Sequence, residues 1–210
     1  MDQLSPQEPF AVVGHSMGAL VAMELALGRP ERVAAVALLD VPLQLPMLAR
    51  LSTLPVLGDA VFSLPAFAPA SRTAMHVYLS WLFGDPSRLS RDVVEAYTSA
   101  SARPHYWKTT LKGLRGIKAW VGGERLASLK VPALVVWGQK DPLLPVSVGR
   151  SLADLIPGAD FVPLAGCGHS PPEEAPAALS EAVLSHFERK AGFLPLPGPG
   201  APALPGEAKP

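Results

Sequence analysis

Residues 10–27 read FAVVGHSMGALVAMELAL, and the change of character inside this stretch decides the fold. Phe10, Ala11, Val12 and Val13 form a short apolar, β-branched run that reads as a strand stopped by Gly14. Residues 19–27 are rich in Ala, Leu, Met and Glu, strong helix formers, and end at Gly28 and Pro30 as a helix should. The join is Gly14-His15-Ser16-Met17-Gly18, a G-x-S-x-G pentapeptide. A strand that runs through it directly into a helix predicts a sharp turn. Ser16 is then held in a strained backbone conformation, and the flanking glycines let strand and helix pack without Cβ clashes. Its hydroxyl projects above the sheet at a helix N-terminus, where the backbone dipole favours developing negative charge. The Met17 amide is expected to point at an oxyanion. The plainer reading makes Ser16 only the N-cap of a helix.

Working outward, the same alternation recurs. Val33–Leu39 is apolar on both alternating faces, as in a central strand covered by helices on both sides. Residues 133–137 repeat the pattern and are closed by Gly138. Residues 145–155 read as a helix opened by proline. Asp160–Leu164 is a fourth strand, which Pro163 pushes towards a sheet edge. Residues 174–190 place Leu179, Val183 and Phe187 at i, i+4 and i+8, with Ala175 and Leu184 beside them, and predict an amphipathic helix. Short apolar runs alternating with helical patterns predict an α/β fold with a parallel sheet.

Residues 41–128 break this rhythm. Five prolines (Pro42, Pro46, Pro55, Pro65 and Pro69) precede helical patterns at 71–83, 90–101 and 104–114, and no comparable strand occurs. This stretch reads as a mostly helical insertion between two strands. The expected organisation is a core of residues 1–40 and 129–191, an insertion at 41–128, and a tail at 192–210. The tail holds six prolines and four glycines and is expected to be disordered.

Composition narrows the function classes. The 210 residues carry 18 basic and 18 acidic side chains with 49% hydrophobic residues. That excludes a charged disordered chain and argues against a nucleic-acid partner, which calls for a basic excess. Cys167, the single cysteine, fits a reducing compartment and has no disulfide partner within the chain. The longest apolar run, Val33–Leu39, falls far short of the roughly 18 residues a spanning helix needs. Asp2, Gln3 and Glu8 after Met1 do not form a signal peptide. A cytoplasmic protein with a small-molecule substrate, and with no membrane partner, is expected.

A serine nucleophile needs a base, and the base needs an orienting acid. Asp141 lies in the loop after the 133–137 strand, in Trp137-Gly138-Gln139-Lys140-Asp141-Pro142. His169 lies in the loop after the next strand, in Gly166-Cys167-Gly168-His169-Ser170. Both loops follow the C-terminal ends of parallel strands, so both lie on the same sheet edge as Ser16. Taken alone, Asp141 is equally a turn former before Pro142. Asp40, which ends the Val33–Leu39 strand, is a less favoured alternative acid. Cys167 lacks a CxxC partner and reads as a small residue in the His169 loop. No His, Cys, Asp or Glu group shows metal-ligand spacing, and no cofactor is expected. Met75, Trp81, Phe83, Tyr106 and Trp107 either line a substrate pocket or form the insertion's own core.

The three motifs in this order resemble the α/β-hydrolase fold superfamily, in particular its lidded serine hydrolase and esterase members. The resemblance covers most of residues 8–190. It implies a mostly parallel sheet flanked by helices, with 41–128 as the cap. It also implies Ser16 as nucleophile, Asp141 as acid, His169 as base and Met17 as an oxyanion donor, with His15 a usual companion of the elbow. A serine at the elbow implies acyl-enzyme chemistry, disfavouring the dehalogenase and epoxide hydrolase branches. The sequence departs from the family pattern in one respect. Only fifteen residues precede Ser16, so the first strands are expected to be missing, together with the loop that donates the second oxyanion amide. The 10–13 strand then has an open edge: either Met1 is an internal or miscalled start of a longer enzyme, which the intact set of three residues favours, or a partner or second copy covers the edge of a short form. The expected activity is hydrolysis of an ester or activated acyl bond of a small apolar substrate. Carbon–carbon bond hydrolysis of a diketone, lactone opening and acyl transfer use the same residues. A truncated, non-catalytic interaction protein is the alternative of another class.

Overall fold

The computed structural model describes residues 8–43, 54, 71–103, 105–119 and 124–192, excluding the side chains of residues 107, 118 and 119. The tail beyond 192 and most of 44–70 lie outside the described residues. Four strands form one sheet in the order β1-β2-β3-β4, all parallel: β1 Phe10–His15, β2 Val33–Leu39, β3 Ala133–Gly138 and β4 Asp160–Leu164. Among the described residues β4 lies at an edge of the sheet, where the missing N–H of Pro163 is tolerated. Among the described residues β1 pairs with β2 alone, and Val13 beside that free edge is 52% exposed.

The helices cover both faces. On one face pack α1 (Met17–Gly28) and α5 (Val146–Leu155), meeting Val36, Leu38, Val135 and Trp137 in a buried cluster. On the other packs α7 (Pro176–Ala191), whose Val183 and Phe187 meet Ala35, Ala37, Leu39, Leu134 and Val136. The period-2 alternation of a strand sends odd and even residues of β2 to opposite layers, so an unbroken apolar run is what a central strand needs. Trp137 is fully buried, its Nε1–H donating to the Leu144 carbonyl at 2.9 Å. Gly149 of α5 rests on this indole; a Cβ there would stand 2.3 Å from the ring. Burying an indole of roughly 200 Å² contributes about 5 kcal/mol, which anchors β3 beneath the Asp141 loop.

Between β2 and β3 lie α2 (Arg72–Leu82), a 3₁₀ turn at Pro86–Arg88, α3 (Arg91–Ser101), α4 (Tyr106–Ala119) and a second 3₁₀ turn at Glu124–Ser128. Ser71 and Ser90 cap α2 and α3, accepting from the N–H of Ala74 and Val93. Leu79, Leu82, Phe83 and Val94 form a separate small core with Met75, and Leu143 of the Asp141 loop packs against it. Ile117 and Leu126 instead join the main cluster of α1 and β3. The insertion is therefore fastened to the sheet at its C-terminal end. No helix among the described residues is long and apolar enough to cross a membrane.

The helix expected at 174–190 is two helices, α6 (Pro171–Glu174) and α7, broken at Ala175. Pro176 disfavours helical backbone at the preceding residue, and Ala175 takes φ −142° and ψ 51°. Leu184 is 42% exposed and does not join the apolar face that Val183 and Phe187 supply.

Candidate active site

β1 delivers Ser16 at the C-terminal edge of the sheet. Its N–H donates to the Leu39 carbonyl at 2.9 Å, continuing the ladder with β2. The chain then reverses into α1 with Ser16 at φ 51° and ψ −122°, a sparsely populated region for a residue with a Cβ. Ser16 makes no side-chain capping hydrogen bond, so the N-cap reading is not what its hydroxyl does. Gly14 is sterically required: a Cβ there would lie 2.6 Å from the Ala19 Cα and the Gly18 carbonyl. Gly18 differs from the expectation, since a Cβ at that position would meet nothing within 4 Å.

His169 and Asp141 come to Ser16 from the two loops named in the sequence. Ser16 Oγ lies 3.2 Å from His169 Nε2, and His169 Nδ1–H donates to Asp141 Oδ2 at 2.7 Å. Both His169 and Asp141 are buried. Asp141 Oδ1 accepts from the N–H groups of Leu143 and Leu144 at 2.7 and 3.0 Å. One oxygen of Asp141 thus makes the turn contacts and the other meets His169. Met17 opens α1, so its backbone N–H has no acceptor within the helix. Gly113 of α4 lies against the Met17 side chain, where a Cβ would come 2.8 Å from Sδ, which brings the insertion over the elbow.

Several supports carried no clear sequence signal. His15 Nε2–H donates to the His169 carbonyl at 2.7 Å, and burial, with His169 beside it, pushes the His15 pKa down to about 4. The ring is then a neutral strut rather than a proton carrier. Glu174, 4% exposed, accepts from Gly84 N–H at 2.7 Å, Gly168 N–H at 2.9 Å and Ser170 N–H at 3.1 Å. One carboxylate thereby clamps the insertion to the His169 loop. The His169 N–H itself donates to the Leu82 carbonyl at 2.9 Å. The approach is close enough to demand glycines: a Cβ on Gly168 would stand 2.2 Å from the Leu82 carbonyl, and one on Gly138 1.8 Å from the Gly168 carbonyl. Glu174 follows His169 by five residues, a spacing that does not by itself announce a shared carboxylate.

The remaining candidates fall outside the Ser16–His169–Asp141 line. Burial pushes the Cys167 thiol up to about 12, so it stays protonated and serves as a packing residue. Asp40 is fully buried beside Asp141, while His169 Nδ1 bonds Asp141. Asp40, Asp141 and His169 bring ligand atoms within 4.8 Å of one another, but a cation there would have to break the bond between Nδ1 and Asp141. Met75 and Phe83 belong to the insertion's own core, Trp81 is 51% exposed, and Tyr106 is partly buried. The Trp107 side chain lies outside the described residues. An open cleft of about 580 Å³ lined by Arg72, His76, Arg91 and Glu95 shares no residue with the site.

The arrangement can pass a proton from the Ser16 hydroxyl to an imidazole that is oriented on its far side by a carboxylate. Comparison with known proteins places the fold in a family. The sequence pattern of the alpha/beta hydrolase fold matches residues 1–176. The chain is 26% identical over 174 residues to the uncharacterized hydrolase YugF of Bacillus subtilis, covering 82% of this chain and 63% of the relative. It is 28% identical over 194 residues to a 2-hydroxy-6-oxononadienedioate/2-hydroxy-6-oxononatrienedioate hydrolase of Burkholderia vietnamiensis, covering 85% and 62%. The chain thus spans about three fifths of the length of these curated relatives. A thermophilic esterase from Thermogutta terrifontis superposes with a TM-score of 0.73 at 22% identity, over 90% of this chain and 68% of that one, a likeness of fold. By this match and by its parallel sheet, the chain belongs to the alpha/beta hydrolase fold family.

Proposed function

We propose that the chain is a serine hydrolase acting on an ester or similarly activated acyl bond of a small, mostly apolar substrate. The observation that carries this reading is the line Ser16 Oγ, His169 Nε2, His169 Nδ1, Asp141 Oδ2, spaced at 3.2 and 2.7 Å on one edge of the sheet. Ser16 Oγ attacks the substrate carbonyl while His169 Nε2 takes its proton. The oxyanion of the tetrahedral intermediate faces the Met17 N–H. His169 returns the proton to the leaving oxygen, which departs and leaves an acyl ester on Ser16. Water then attacks that ester with His169 again as base, releasing the acid and restoring the hydroxyl. Residues 41–128 act as the cap that shapes the substrate pocket, supported by the contact of Gly113 with Met17.

A second reading, hydrolysis of a carbon–carbon bond next to a ketone, is favoured by the likeness to the oxononadienedioate hydrolase. Exposure of the purified chain to a fluorophosphonate, read by intact mass, tests the shared chemistry. One adduct that disappears in Ser16→Ala is expected. A folded chain that takes no label refutes the reading. Rates on ester and diketone panels then separate the two substrate classes.

A further inference from the structure

Asp40 does more than stand near the site. It ends β2 with a backbone φ of 44° and is fully buried. Its Oδ1 accepts from the Gly138 N–H at 2.9 Å, while its Oδ2, equally buried, has no hydrogen-bond partner among the described residues. Across from it, Asp141 has one oxygen on the Leu143 and Leu144 N–H groups and the other on His169. Ligand atoms of Asp40, Asp141 and His169 all lie within 4.8 Å of one another. The charged groups acting on Asp40 are Asp141 and, from α6, Glu174, both acidic. His169 and Cys167, from the loop after β4, complete the titratable surroundings, and neither offers Asp40 a donor. Two ionised carboxylates placed side by side in a buried site repel and leave an oxygen unsatisfied. A single proton between them removes both faults.

We propose that Asp40 carries a proton at neutral pH and donates it in a hydrogen bond from Oδ2 to the Asp141 carboxylate, making Asp40 a positioning residue for the acid that orients His169. The positioning role rests on the proposed Ser16–His169–Asp141 chemistry; the shared proton does not. Burial, with Asp141 and Glu174 adding to it against the opposing Gly138 N–H, pushes the Asp40 pKa up to about 8. Asp40 is therefore a neutral donor rather than a replacement acid. The net charge facing the imidazole stays at one, and the Asp141 carboxylate gains a donor beside those of Leu143, Leu144 and His169.

Infrared difference spectroscopy on the full chain reads the proton directly. A protonated-carboxyl C=O band is expected at about pH 6, well above the ordinary carboxylate range. It should persist in Ser16→Ala, vanish in Asp40→Asn, titrate near pH 8, and shift in Asp141→Asn. A spectrum without that band, or a band indifferent to Asp141→Asn, overturns the proposal. The positioning role is read from fluorophosphonate labelling against pH. Wild-type labelling should fall as Asp40 ionises, and Asp40→Ala should lose about tenfold or more. Asp40→Asn, which keeps an acceptor for Gly138 and a donor for Asp141, should recover most of that loss and abolish the alkaline fall. An Asn variant no better than Ala overturns the positioning role. A chain that shows the infrared band and its shift but takes no label upholds the shared proton and refutes the hydrolase reading instead.

Discussion

Replacing Ser16 by glycine and by alanine separates the strain of the elbow from the chemistry of its hydroxyl. Both variants lose the 3.2 Å contact with His169 Nε2, so that loss cancels in their difference. What remains is the backbone. At φ 51° and ψ −122° any Cβ is crowded, and such conformations cost about 1–3 kcal/mol. Glycine removes that cost but loses about 0.5–1 kcal/mol more chain entropy on folding than alanine does. The net expectation is that Ser16→Gly is more stable than Ser16→Ala by about 0.5–2 kcal/mol. At 2–4 °C per kcal/mol for a chain of this size, that is a rise in Tm of about 1–8 °C. Paired urea titrations and thermal scans check it, and neither variant should take a fluorophosphonate. A glycine variant equal to or less stable than the alanine variant would refute the claim that the elbow stores strain.

Three further outcomes follow from named contacts. Gly14→Ala should destabilise by more than about 3 kcal/mol because the new Cβ meets backbone, whereas Gly18→Ala should stabilise α1 by up to about 1 kcal/mol; urea unfolding of the pair checks both. The Asp40 carboxyl has a folded pKa near 8 against 3.8 unfolded, so its contribution is fully present in acid and lost as pH rises through that interval. Asp40→Asn should flatten the decline of unfolding free energy between about pH 4 and 8, and an unchanged slope in urea titrations across that range contradicts it. Glu174→Ala should cost at least about 3 kcal/mol, since the N–H groups of Gly84, Gly168 and Ser170 lose their acceptor together; a loss under 1 kcal/mol in denaturant would contradict the clamp.

The strands were legible because each is a short, mostly apolar run, and the ends of β2 and β4 fall where the sequence places them. Ser16, Asp141 and His169 were legible because parallel strands put their following loops on one edge, whatever separates them in the chain. The break at Ala175 is hidden by the 3.6-residue pattern that runs across it, although Pro176 disfavours helical backbone at that residue. Glu174, by contrast, reads as an ordinary acidic residue in a first helical turn. Its partners Gly84 and Gly168 are far from it or in another loop, and no local pattern announces a shared carboxylate. Asp40 was read as a rival to Asp141 because a strand-end acid carries no mark of its distance from another acid. Gly18 was over-read for the opposite reason: a motif glycine carries no mark of whether its missing Cβ would collide.

The fastening of the His169 loop to the insertion bears on chimera design. His169 holds the Leu82 carbonyl through its N–H and the His15 ring through its carbonyl, while Glu174 binds Gly84 by its carboxylate and Arg88 by its carbonyl. A graft that exchanges the whole insertion between relatives would replace the Leu82, Gly84 and Arg88 partners of these bonds and loosen the proposed general base. Crossover points placed after Arg88 and before Gly113 keep residues 82–88 with their native loop and exchange what lies between. The route to altered substrate range is then substitution within α3 and the first half of α4, with the segment that holds the His169 backbone left in place.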